Sequence, residues 1–497
     1  MMRGILDRIA RHAAAQPAHV AMLDDTTQLS YGELPDAVAQ VSQALDARRV
    51  AMLLDNGCAW ALVDLALAQR GAVAIPIPPF FSDGQIRHLL DDAAPDLIVS
   101  DQPQRMAPLL GIQPTAERDV AGRRVFLFAL AAAPARQLPA GTCKITYTSG
   151  TTGQPRGVCL TGEAIEAVTR SLAQAVDAGP DDRSLSLLPL STLLENIGGI
   201  YAALASGSTA MLPSLASCGF TGSSAVQPDK LMGAFHRYAP SATILVPQLL
   251  KLLVECVAAG ASLPASLRFV AVGGAPCASH LIERAWRLGL PVHEGYGLSE
   301  AGSVVSLNRP GINRPGSVGT PLPHVRVRLA EDGEILVAGN LFGGYLGSDA
   351  APVTEWASGD LGYFDADGCL HVSGRKKTAY ATAFGRNVAP EWVEGELSAG
   401  PAVMQAAVFG EARPCNVAVL VPHPAASPQQ IAAAVAAANA RLPDYARIAA
   451  WHVATMPFSP LNGMARVSGT PDREAIAAHY ANALETLYAS QAVDVDA

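Results

Sequence analysis

The sequence predicts an α/β fold built on doubly wound, mostly parallel sheets. Between Leu29 and Ser100, helical patterns alternate with short buried apolar strands, and a further strand and helix follow between Ile145 and Ala175. Strands that alternate with helices in this way form parallel sheets with helices on both faces. A chain of 497 residues with 50% hydrophobic content can bury the cores of two or more domains.

Local signals justify the elements of the first unit in turn. Ser30 can cap a helix with an apolar stripe, and VAMLLDNG, which begins at Val50, is typical of a buried strand that ends in a turn. CAWALVDLALAQRG has the pattern of a helix that ends at Gly71, and VAIPIP has that of the next strand. Residues 101–140 are rich in Pro and Ala and weakly patterned, so we expect a connection there.

Charge, cysteines and the N-terminal segment indicate a cytoplasmic protein that does not bind nucleic acid. The formal net charge is -9, and no basic stripe offsets it. The eight cysteines show no CxxC pair, as expected of core residues in a reducing compartment. Asp7, Arg8 and Arg11 interrupt the N-terminal apolar run, so we expect no signal peptide. Ile5, Leu6 and Ile9 fall at helical spacing, so we expect a short amphipathic helix, with membrane attachment as the alternative. No stretch approaches the roughly 20 apolar residues of a transmembrane helix, so stable membrane insertion is not expected.

A loop rich in Ser, Thr and Gly follows the strand-like run of residues 145–148 and predicts a polyphosphate site. Glycines let backbone N–H groups approach an anion, hydroxyl groups add donors, and Arg156 adds a fixed positive charge. The spacing is not that of the Walker loop, GxxxxGK(S/T), and a Ser/Thr/Gly-rich surface turn is the alternative. The residues concerned are Thr148, Ser149, Gly150, Thr151, Thr152 and Gly153.

The stretch YTSGTTGQPRGV, residues 147–158, resembles the signature loop of the adenylate-forming superfamily. Its members are acyl- and aryl-CoA ligases, peptide-synthetase adenylation domains and luciferases, and the motif style is most similar to fatty acyl-CoA ligases. Arg156 stands where the family usually has lysine, and the guanidinium keeps the positive charge. The resemblance extends from about Leu29 to Arg473, so it covers nearly the whole chain.

The resemblance implies two domains of unequal size. Residues 1–375 would form a large AMP-binding domain that includes a small β-barrel-like part. Residues 376–497 would form a small mobile α+β domain that closes over the site. The two would turn about a hinge near Lys376, because the cleft must release pyrophosphate and then admit a thiol.

Three later stretches resemble the family's nucleotide-binding motifs. They are FVAVGGAP, PVHEGYGLSEAG and SGDLGYFDADGCLHVSGRKK, in the order that the family has them. The resemblance implies that Glu300 holds Mg2+, a hard cation that prefers oxygen ligands, and that Asp360 accepts hydrogen bonds from the ribose hydroxyls. The implied ATP contacts are adenine against Gly274, Ala275, Pro276, Glu294, Tyr296 and Gly297, phosphate against Ser299, and ribose or phosphate against Arg375.

The motif near the C-terminus departs from the family pattern. SPLNGMARVSGTPDR resembles the closing motif, in which a lysine bridges the carboxylate nucleophile and the α-phosphate. The longer alignment places Thr470 at that lysine, with Arg473 at the final arginine, and the shorter alignment places Met464 there. Arg466 is the alternative cation. The catalytic positions that the resemblance implies are Arg156, Glu300, Arg375 and Thr470.

The resemblance implies ATP-dependent activation of a small-molecule carboxylic acid to acyl-AMP, with release of pyrophosphate and transfer to a thiol of CoA or of a carrier protein's phosphopantetheine. The implied pocket has no Lys, Arg or Asp to hold a second charge, so a fatty or aryl acid is expected. Its residues are Thr192, Asn196, Val246, Pro247, Gly273 and Gly302. Because the lysine is absent, two alternatives stay open: a partner-dependent adenylate-former with a product other than a thioester, and a nucleotide- or acyl-binding pseudoenzyme.

Overall fold

The computed structural model describes residues 2–131, 136–148, 155–221, 225–348, 353–383, 386–466 and 469–492. Within these ranges the chain forms two large mixed sheets, a four-stranded antiparallel sheet and a three-stranded sheet, with two additional short hairpins. This arrangement confirms the predicted α/β class. The four-stranded sheet stands where a small barrel-like part was expected, and the three-stranded sheet belongs to the C-terminal region.

The helices of the described residues are of very different lengths. They are α1 (Arg3–Ala15), α2 (Leu34–Ala44), α3 (Cys58–Arg70), α4 (Asp83–Ala93), α5 (Pro103–Leu110), α6 (Gly162–Ala175), α7 (Leu193–Glu195), α8 (Ala202–Ser206), α9 (Pro228–Tyr238), α10 (Pro247–Ala258), α11 (Ser279–Arg287), α12 (Pro390–Ser398), α13 (Pro428–Arg441), α14 (Arg473–His479) and α15 (Ala481–Ala492). A π-helix, Asn196–Tyr201, joins α7 to α8, and 3-10 turns occur at Ser299–Ala301, Asp444–Ala446 and Pro460–Asn462.

The strands of the described residues are mostly short. They are β1 (Val20–Leu23), β2 (Gln28–Ser30), β3 (Arg49–Leu53), β4 (Val73–Pro76), β5 (Leu97–Ser100), β6 (Ala116–Val120), β7 (Arg123–Ala129), β8 (Thr142–Thr148), β9 (Arg156–Thr161), β10 (Arg183–Leu185), β11 (Thr209–Met211), β12 (Phe220–Thr221), β13 (Ala225–Val226), β14 (Ala242–Leu245), β15 (Phe269–Val272), β16 (Val292–Leu298), β17 (Ser303–Leu307), β18 (Thr320–Pro321), β19 (Val325–Leu329), β20 (Glu334–Gly339), β21 (Gly344–Tyr345), β22 (Glu355–Phe364), β23 (Leu370–Arg375), β24 (Tyr380–Ala381), β25 (Asn387–Val388), β26 (Val403–Phe409), β27 (Asn416–Pro422) and β28 (Ile448–Val453).

The first large sheet has eight strands in the order β21-β9-β8-β4-β3-β5-β7-β6. Its centre from β8 to β5 is parallel, and antiparallel strands extend both edges. The β6–β7 hairpin and α5 lie within residues 101–140, where the sequence predicted only a connection. That prediction was wrong. Strand β6 reads AERDV, is largely exposed at the sheet edge and carries no apolar alternation, whereas β7 carries the apolar run of RRVFLFA, a strand signal that was overlooked.

The second large sheet has nine strands in the order β18-β17-β16-β15-β14-β10-β11-β1-β2. Its strands from β16 to β1 are parallel, and β17, β18 and β2 are antiparallel. One apolar core combines residues of both sheets with α1, α2, α3, α6, the π-helix and α8. These helices therefore form a layer shared by the two sheets. Every residue from Cys58 to Ala68 of α3 is buried as a result.

The C-terminal region packs on its own sheet. Strands β26, β27 and β28 carry α12 and α13 over one apolar core and α14 and α15 over a second. Lys251 of α10 reaches across from the large region, and its ammonium donates to the carbonyls of Ser398 at 2.5 Å and Val403 at 3.0 Å. His280 of α11 lies 3.1 Å from the carboxylate of Glu396 on α12. Among the described residues, none of the helices has the length and apolar character needed to cross a membrane.

Candidate active site

The β8–β9 hairpin carries the predicted phosphate loop. Thr148 and Arg156 face each other at the ends of the two strands, and the residues between them, Ser149, Gly150, Thr151, Thr152 and Gly153, lie outside the described residues. The Arg156 guanidinium stacks over the ring of Tyr345, 3.8 Å from its centroid. The hydroxyl of Tyr345 donates to Glu300 Oε1 at 2.6 Å. Two predicted site residues, Arg156 and Glu300, are thus joined through one aromatic ring.

Sequence reasoning missed Tyr345. It lies on β21, the short edge strand that pairs with β9, so the fold carries it to the phosphate loop from almost 200 positions away. Burial, followed by the neighbouring Glu300 carboxylate, raises the pKa of Tyr345, so its hydroxyl stays protonated and can donate. The local signal was an aromatic residue after two glycines, which alone does not point to a site.

Asp360 lies at the centre of a second group. It is 5% exposed, and its strand, β22, pairs with β23 so that Asp360 faces Arg375 directly. Arg375 Nε lies 2.8 Å from Asp360 Oδ1, and the hydroxyl of Tyr296 donates to Oδ2 at 2.6 Å. Burial raises the pKa of Asp360, and the Arg375 charge partly opposes this shift. The structure therefore brings together three predicted nucleotide contacts whose polar atoms a ribose could reach.

Glycines shape the wall beside this group. A Cβ atom on Gly297 would lie 1.9 Å from the carbonyl oxygen of Ser303, so no larger residue fits there. A Cβ on Gly273 would lie 3.0 Å from the carbonyl oxygen of Gly295 on the next strand. Gly274 has φ of 78°, in the left-handed region that favours glycine. The turns that follow β15 and β16 contain three more predicted residues, Ala275, Pro276 and Ser299. These turns lie at the carboxyl end of the parallel strands, where α/β folds bind ligands.

Glu294 lies on β16 beneath these turns. It is 7% exposed, and burial raises its pKa to about 8, while a hydrogen bond from the backbone of Cys277 opposes the shift. Between its ordinary value and pH 8 the carboxyl is therefore mostly protonated. A protonated carboxyl can both donate and accept a hydrogen bond, which suits the edge of a purine base.

A cavity of about 220 Å³ begins at these turns and runs between the second sheet and the shared helix layer. Gly273, Gly274, Tyr296 and Ser299 line one end, and Ser184, Ala242 and Phe269 line the other. The residues from Phe269 to Gly273 on one strand span about 13 Å. Among the described residues that line the cavity, none is charged.

Of the six predicted pocket residues, Gly273 alone is among the described residues that line this cavity. Gly273 lines it, and a Cβ on Gly274 would be 3.9 Å from Val246, whose neighbour Pro247 begins α10. A Cβ on Gly302 would face Val168 of α6 at 3.1 Å. The Thr192 hydroxyl donates to the carbonyl of Pro189 at 2.7 Å. The side chain of Asn196 points away from the cavity into a buried polar cluster with Lys144.

The closing motif folds as a hairpin in the C-terminal region. Ala465 pairs with Pro471, and the backbone N–H of Arg466 donates to the carbonyl of Thr470 at 2.8 Å. Thr470 and Arg466 are exposed, whereas Met464 is 2% exposed and belongs to the core of that region. Arg473 is largely buried and pairs with Glu391 at 2.9 Å and Glu394 at 2.6 Å. Arg466 is therefore an exposed cation on the same hairpin as Thr470.

The predicted hinge residue is anchored to the four-stranded sheet. Lys376 Nζ lies 2.5 Å from Asp332 Oδ2 and 2.7 Å from Glu334 Oε2. These hydrogen bonds raise the pKa of Lys376 to about 12. Its backbone N–H donates to the carbonyl of Gly359 at 2.8 Å. The chain is thus held at Lys376 immediately before the C-terminal region begins.

Two family models match this chain. The model described as AMP-binding enzyme matches residues 9–346, and the model described as AMP-binding enzyme C-terminal domain matches residues 380–492. The chain belongs to the AMP-binding enzyme family, as the motifs predicted.

Individual relatives add detail to this assignment. The chain is 30% identical over 430 residues to the long-chain-fatty-acid–CoA ligase FadD15 of Mycobacterium bovis, covering 74% of this chain and 72% of that protein. The anthranilate CoA ligase AuaEII, solved in complex with anthranoyl-AMP, matches with a TM-score of 0.77 at 19% identity over 96% of each chain. The O-succinylbenzoate coenzyme A synthetase (MenE) of Bacillus subtilis, solved in complex with ATP and magnesium ion, matches with a TM-score of 0.75 at 22% identity over 94% of this chain and 98% of that chain. The two structural matches show the fold.

Proposed function

We propose that the protein is an AMP-forming acid–thiol ligase that activates an apolar fatty or aryl acid with ATP and transfers the acyl group to CoA. The observation that carries this proposal is the uncharged cavity, which ends beside Tyr296 and therefore beside the Asp360–Arg375 pair. An apolar acid in this cavity would present its carboxylate to a nucleotide held at that pair. A carrier protein with a phosphopantetheine arm is the alternative thiol donor.

The reaction needs two displacements at one site. In the first, a carboxylate oxygen bonds to the α-phosphorus of ATP, and pyrophosphate leaves with the electron pair of the broken P–O bond. In the second, the thiol sulfur bonds to the acyl carbon, its proton passes to solvent or to a base, and AMP leaves. Residues 1–375 would bind both substrates, and residues 376–497 would reorient about Lys376 between the steps.

The residues near the cavity fit ATP and magnesium. Gly273 and Gly274 offer a backbone surface without side chains against which adenine can lie, and Glu294 and Tyr296 flank it. Asp360 would exchange its present partners for the ribose hydroxyls. Glu300 would be the carboxylate ligand of Mg2+, which supplies charge neutralisation for the phosphates when bound. Arg156, whose guanidinium stacks on the Tyr345 ring, would contact the phosphates.

Acyl-CoA formation from matched pairs of acids tests the proposal. Octanoate and benzoate are each compared with the dicarboxylate of the same skeleton, octanedioate and terephthalate. We expect kcat/KM for the better monocarboxylate to exceed that for its dicarboxylate by at least about 100-fold, because an unpaired charge in an apolar cavity costs several kcal/mol. Equal or greater activity with the dicarboxylates would contradict the proposed substrate class.

A further inference from the structure

We propose that a buried polar cluster behind the cavity, formed by Asp64, Lys144, Asn196 and Tyr201, fixes the helical wall of the cavity and so determines which acids bind. These four residues are called the Lys144 cluster below. The proposal rests on the proposed function, because it assigns the cavity to the acid. It concerns positioning residues, since none of the four lines the cavity among the described residues.

The Lys144 cluster is sealed from solvent and densely hydrogen-bonded. The side chains of Lys144 on β8 and Asp64 on α3 are each 1% exposed, and Lys144 Nζ lies 2.9 Å from Asp64 Oδ1. The ammonium also donates to the hydroxyl of Tyr201 at 2.8 Å and to Asn196 Oδ1. The amide of Asn196 donates to Asp64 Oδ2 at 3.0 Å, and the hydroxyl of Tyr201 donates to the same oxygen.

Two members of the cluster are the first and last residues of the π-helix. Asn196 and Tyr201 are five residues apart, and in an α-helix side chains at that spacing point about 140° away from each other. In the π-helix the backbone hydrogen bond joins residues five apart, as between Ala202 N–H and the Ile197 carbonyl. Both side chains can then reach the same oxygen of Asp64. The π-helical register therefore allows both anchors to reach Asp64, and their hydrogen bonds in turn favour that register.

The opposite side of this segment forms the cavity wall. Gly198, within the π-helix, and Ala202, which follows it, both line the cavity. A Cβ atom on Gly198 would lie 2.5 Å from Ile244 Cδ1, so the segment is in close contact with the sheet that forms the other wall. A change of register between π and α would rotate Gly198 and Ala202 relative to Ile244. The shape of the cavity therefore depends on the register that the cluster holds.

The chemistry of the cluster favours a role in specificity over one in stability. Burying an ion pair costs desolvation energy that apolar residues of similar size would avoid. In a coiled coil, a buried polar residue selects one register among several that pack similarly, and we assign the same role to the Lys144 cluster. Here the alternatives are the π and α registers of residues 196–201.

The test replaces one anchor at a time. Tyr201→Phe keeps the ring and removes the hydroxyl, and Asn196→Ala removes the other anchor. Tyr238→Phe is the matched control. Tyr238 is also buried, and its hydroxyl donates to the Asp25 carboxylate at 3.0 Å, but it belongs to a different apolar core from Tyr201. For each protein, the Kd values for octanoate, decanoate, benzoate and ATP are measured by calorimetry, and acid-dependent pyrophosphate exchange is measured in parallel.

We expect Tyr201→Phe to weaken binding of the preferred acid about tenfold, the effect of lowering the population of the binding-competent π register to about a tenth, and to change the order of preference among the acids. ATP binding should stay at the native value, and Tyr238→Phe should change neither. Native acid affinities in Tyr201→Phe would overturn the inference. Equal loss of acid and ATP binding in both cluster variants, or failure of both to fold, would also overturn it, since the cluster would then be only structural.

The same measurements separate this inference from the proposed function. A native chain that binds acids without pyrophosphate exchange would contradict the proposed reaction, and the comparison of acid affinities would still decide the role of the cluster. A native chain that binds none of these acids would contradict both.

Discussion

At the scale of single residues, the site is assembled from positions that the sequence predicted and one that it did not. Asp360 and Arg375 face each other across adjacent strands. Their spacing in the sequence is compatible with this pairing but does not predict it. Tyr345 was missed because its position depends on the pairing of β21 with β9, and pairing between distant strands has no local signal. The predicted roles of Arg156, Glu300 and Thr470 stay predictions that mutation can test.

Arg466 is the residue whose substitution tests the departure in the closing motif. It is exposed opposite Thr470, and its nearest carboxylate oxygen, on Asp472, is 3.9 Å away. If its guanidinium replaces the absent lysine, Arg466→Ala should lower the rate of acid-dependent pyrophosphate exchange about 100- to 1,000-fold, the usual effect of losing one group that stabilises charge in the transition state. Thr470→Lys, added to the Arg466→Ala variant, should restore part of the exchange rate.

Arg413→Ala is the matched control for this prediction. Arg413 is about as exposed as Arg466, lies in the same region of the chain, and pairs with Glu485. Its substitution should leave exchange at the native rate. Native exchange in Arg466→Ala would contradict a catalytic role for Arg466. Exchange that appears only after Thr470→Lys would show that the missing lysine is uncompensated.

Glu195 predicts how stability depends on pH. It is fully buried, accepts a hydrogen bond from Leu188 N–H at 3.3 Å, and burial raises its pKa to about 8. From pH 4.5 to 8, Glu195 therefore keeps its proton in the folded chain and loses it in the unfolded chain. The contribution of Glu195 to the free energy of unfolding falls as the pH rises through this window. Glu195→Gln has no such proton, and its Tm should fall less between pH 5 and 8.

The control for this measurement is Glu163→Gln, because Glu163 is exposed in the first turn of α6. Its Tm should follow the native pH profile. Parallel profiles for native protein and Glu195→Gln would contradict the assigned protonation of Glu195.

At the scale of secondary-structure elements, the sequence predicted where the main helices and strands occur better than it predicted which other elements they pack against. CAWALVDLALAQR was identified as a helix, but its position between two sheets was not predicted. The signal was present, since a helix that is apolar on all sides is buried on all sides. Edge strand β6 had no such signal because its exposed residues are polar, whereas the apolar run of β7, RRVFLFA, was a strand signal that the prediction overlooked.

Strand β15 gives an element-scale prediction about the cavity. Ala271 lines the cavity, whereas its neighbour Val270 belongs to the core on the other face of the sheet. Ala271→Val should lower kcat/KM most for the bulkiest acids, because the added methyl groups reduce the free volume of a cavity of about 220 Å³. Acyl-CoA formation with hexanoate, octanoate and decanoate measures this effect.

Val270→Ile is the matched control on the same strand. It adds a methylene group to the opposite core, where overpacking costs stability of roughly 1–3 kcal/mol without changing the cavity. Its Tm should therefore fall while the relative preference among the three acids stays native. An equal change of preference in both variants would contradict the assignment of the cavity to the acid.

At the scale of the whole molecule, the predicted hinge lies in the segment between the two family matches. The AMP-binding match ends at residue 346 and the C-terminal match begins at residue 380, and Lys376 lies between them. The division of the chain at Lys376 stays a prediction of the motif resemblance. The sequence could not predict the contacts of Lys251 and His280 with α12, because they depend on how the two regions are oriented. The motifs therefore predicted the fold, whereas the contacts between the two regions depend on tertiary packing that no local motif encodes.

Acid-dependent ATP–pyrophosphate exchange by the native protein tests the proposed function most directly, with octanoate, benzoate and no acid compared at the same ATP and Mg2+ concentrations. Exchange reports the first displacement alone, so it needs no knowledge of the thiol acceptor. We expect exchange that requires at least one of the two acids. Tight ATP binding with no acid-dependent exchange would contradict the proposed function and would favour a nucleotide-binding pseudoenzyme.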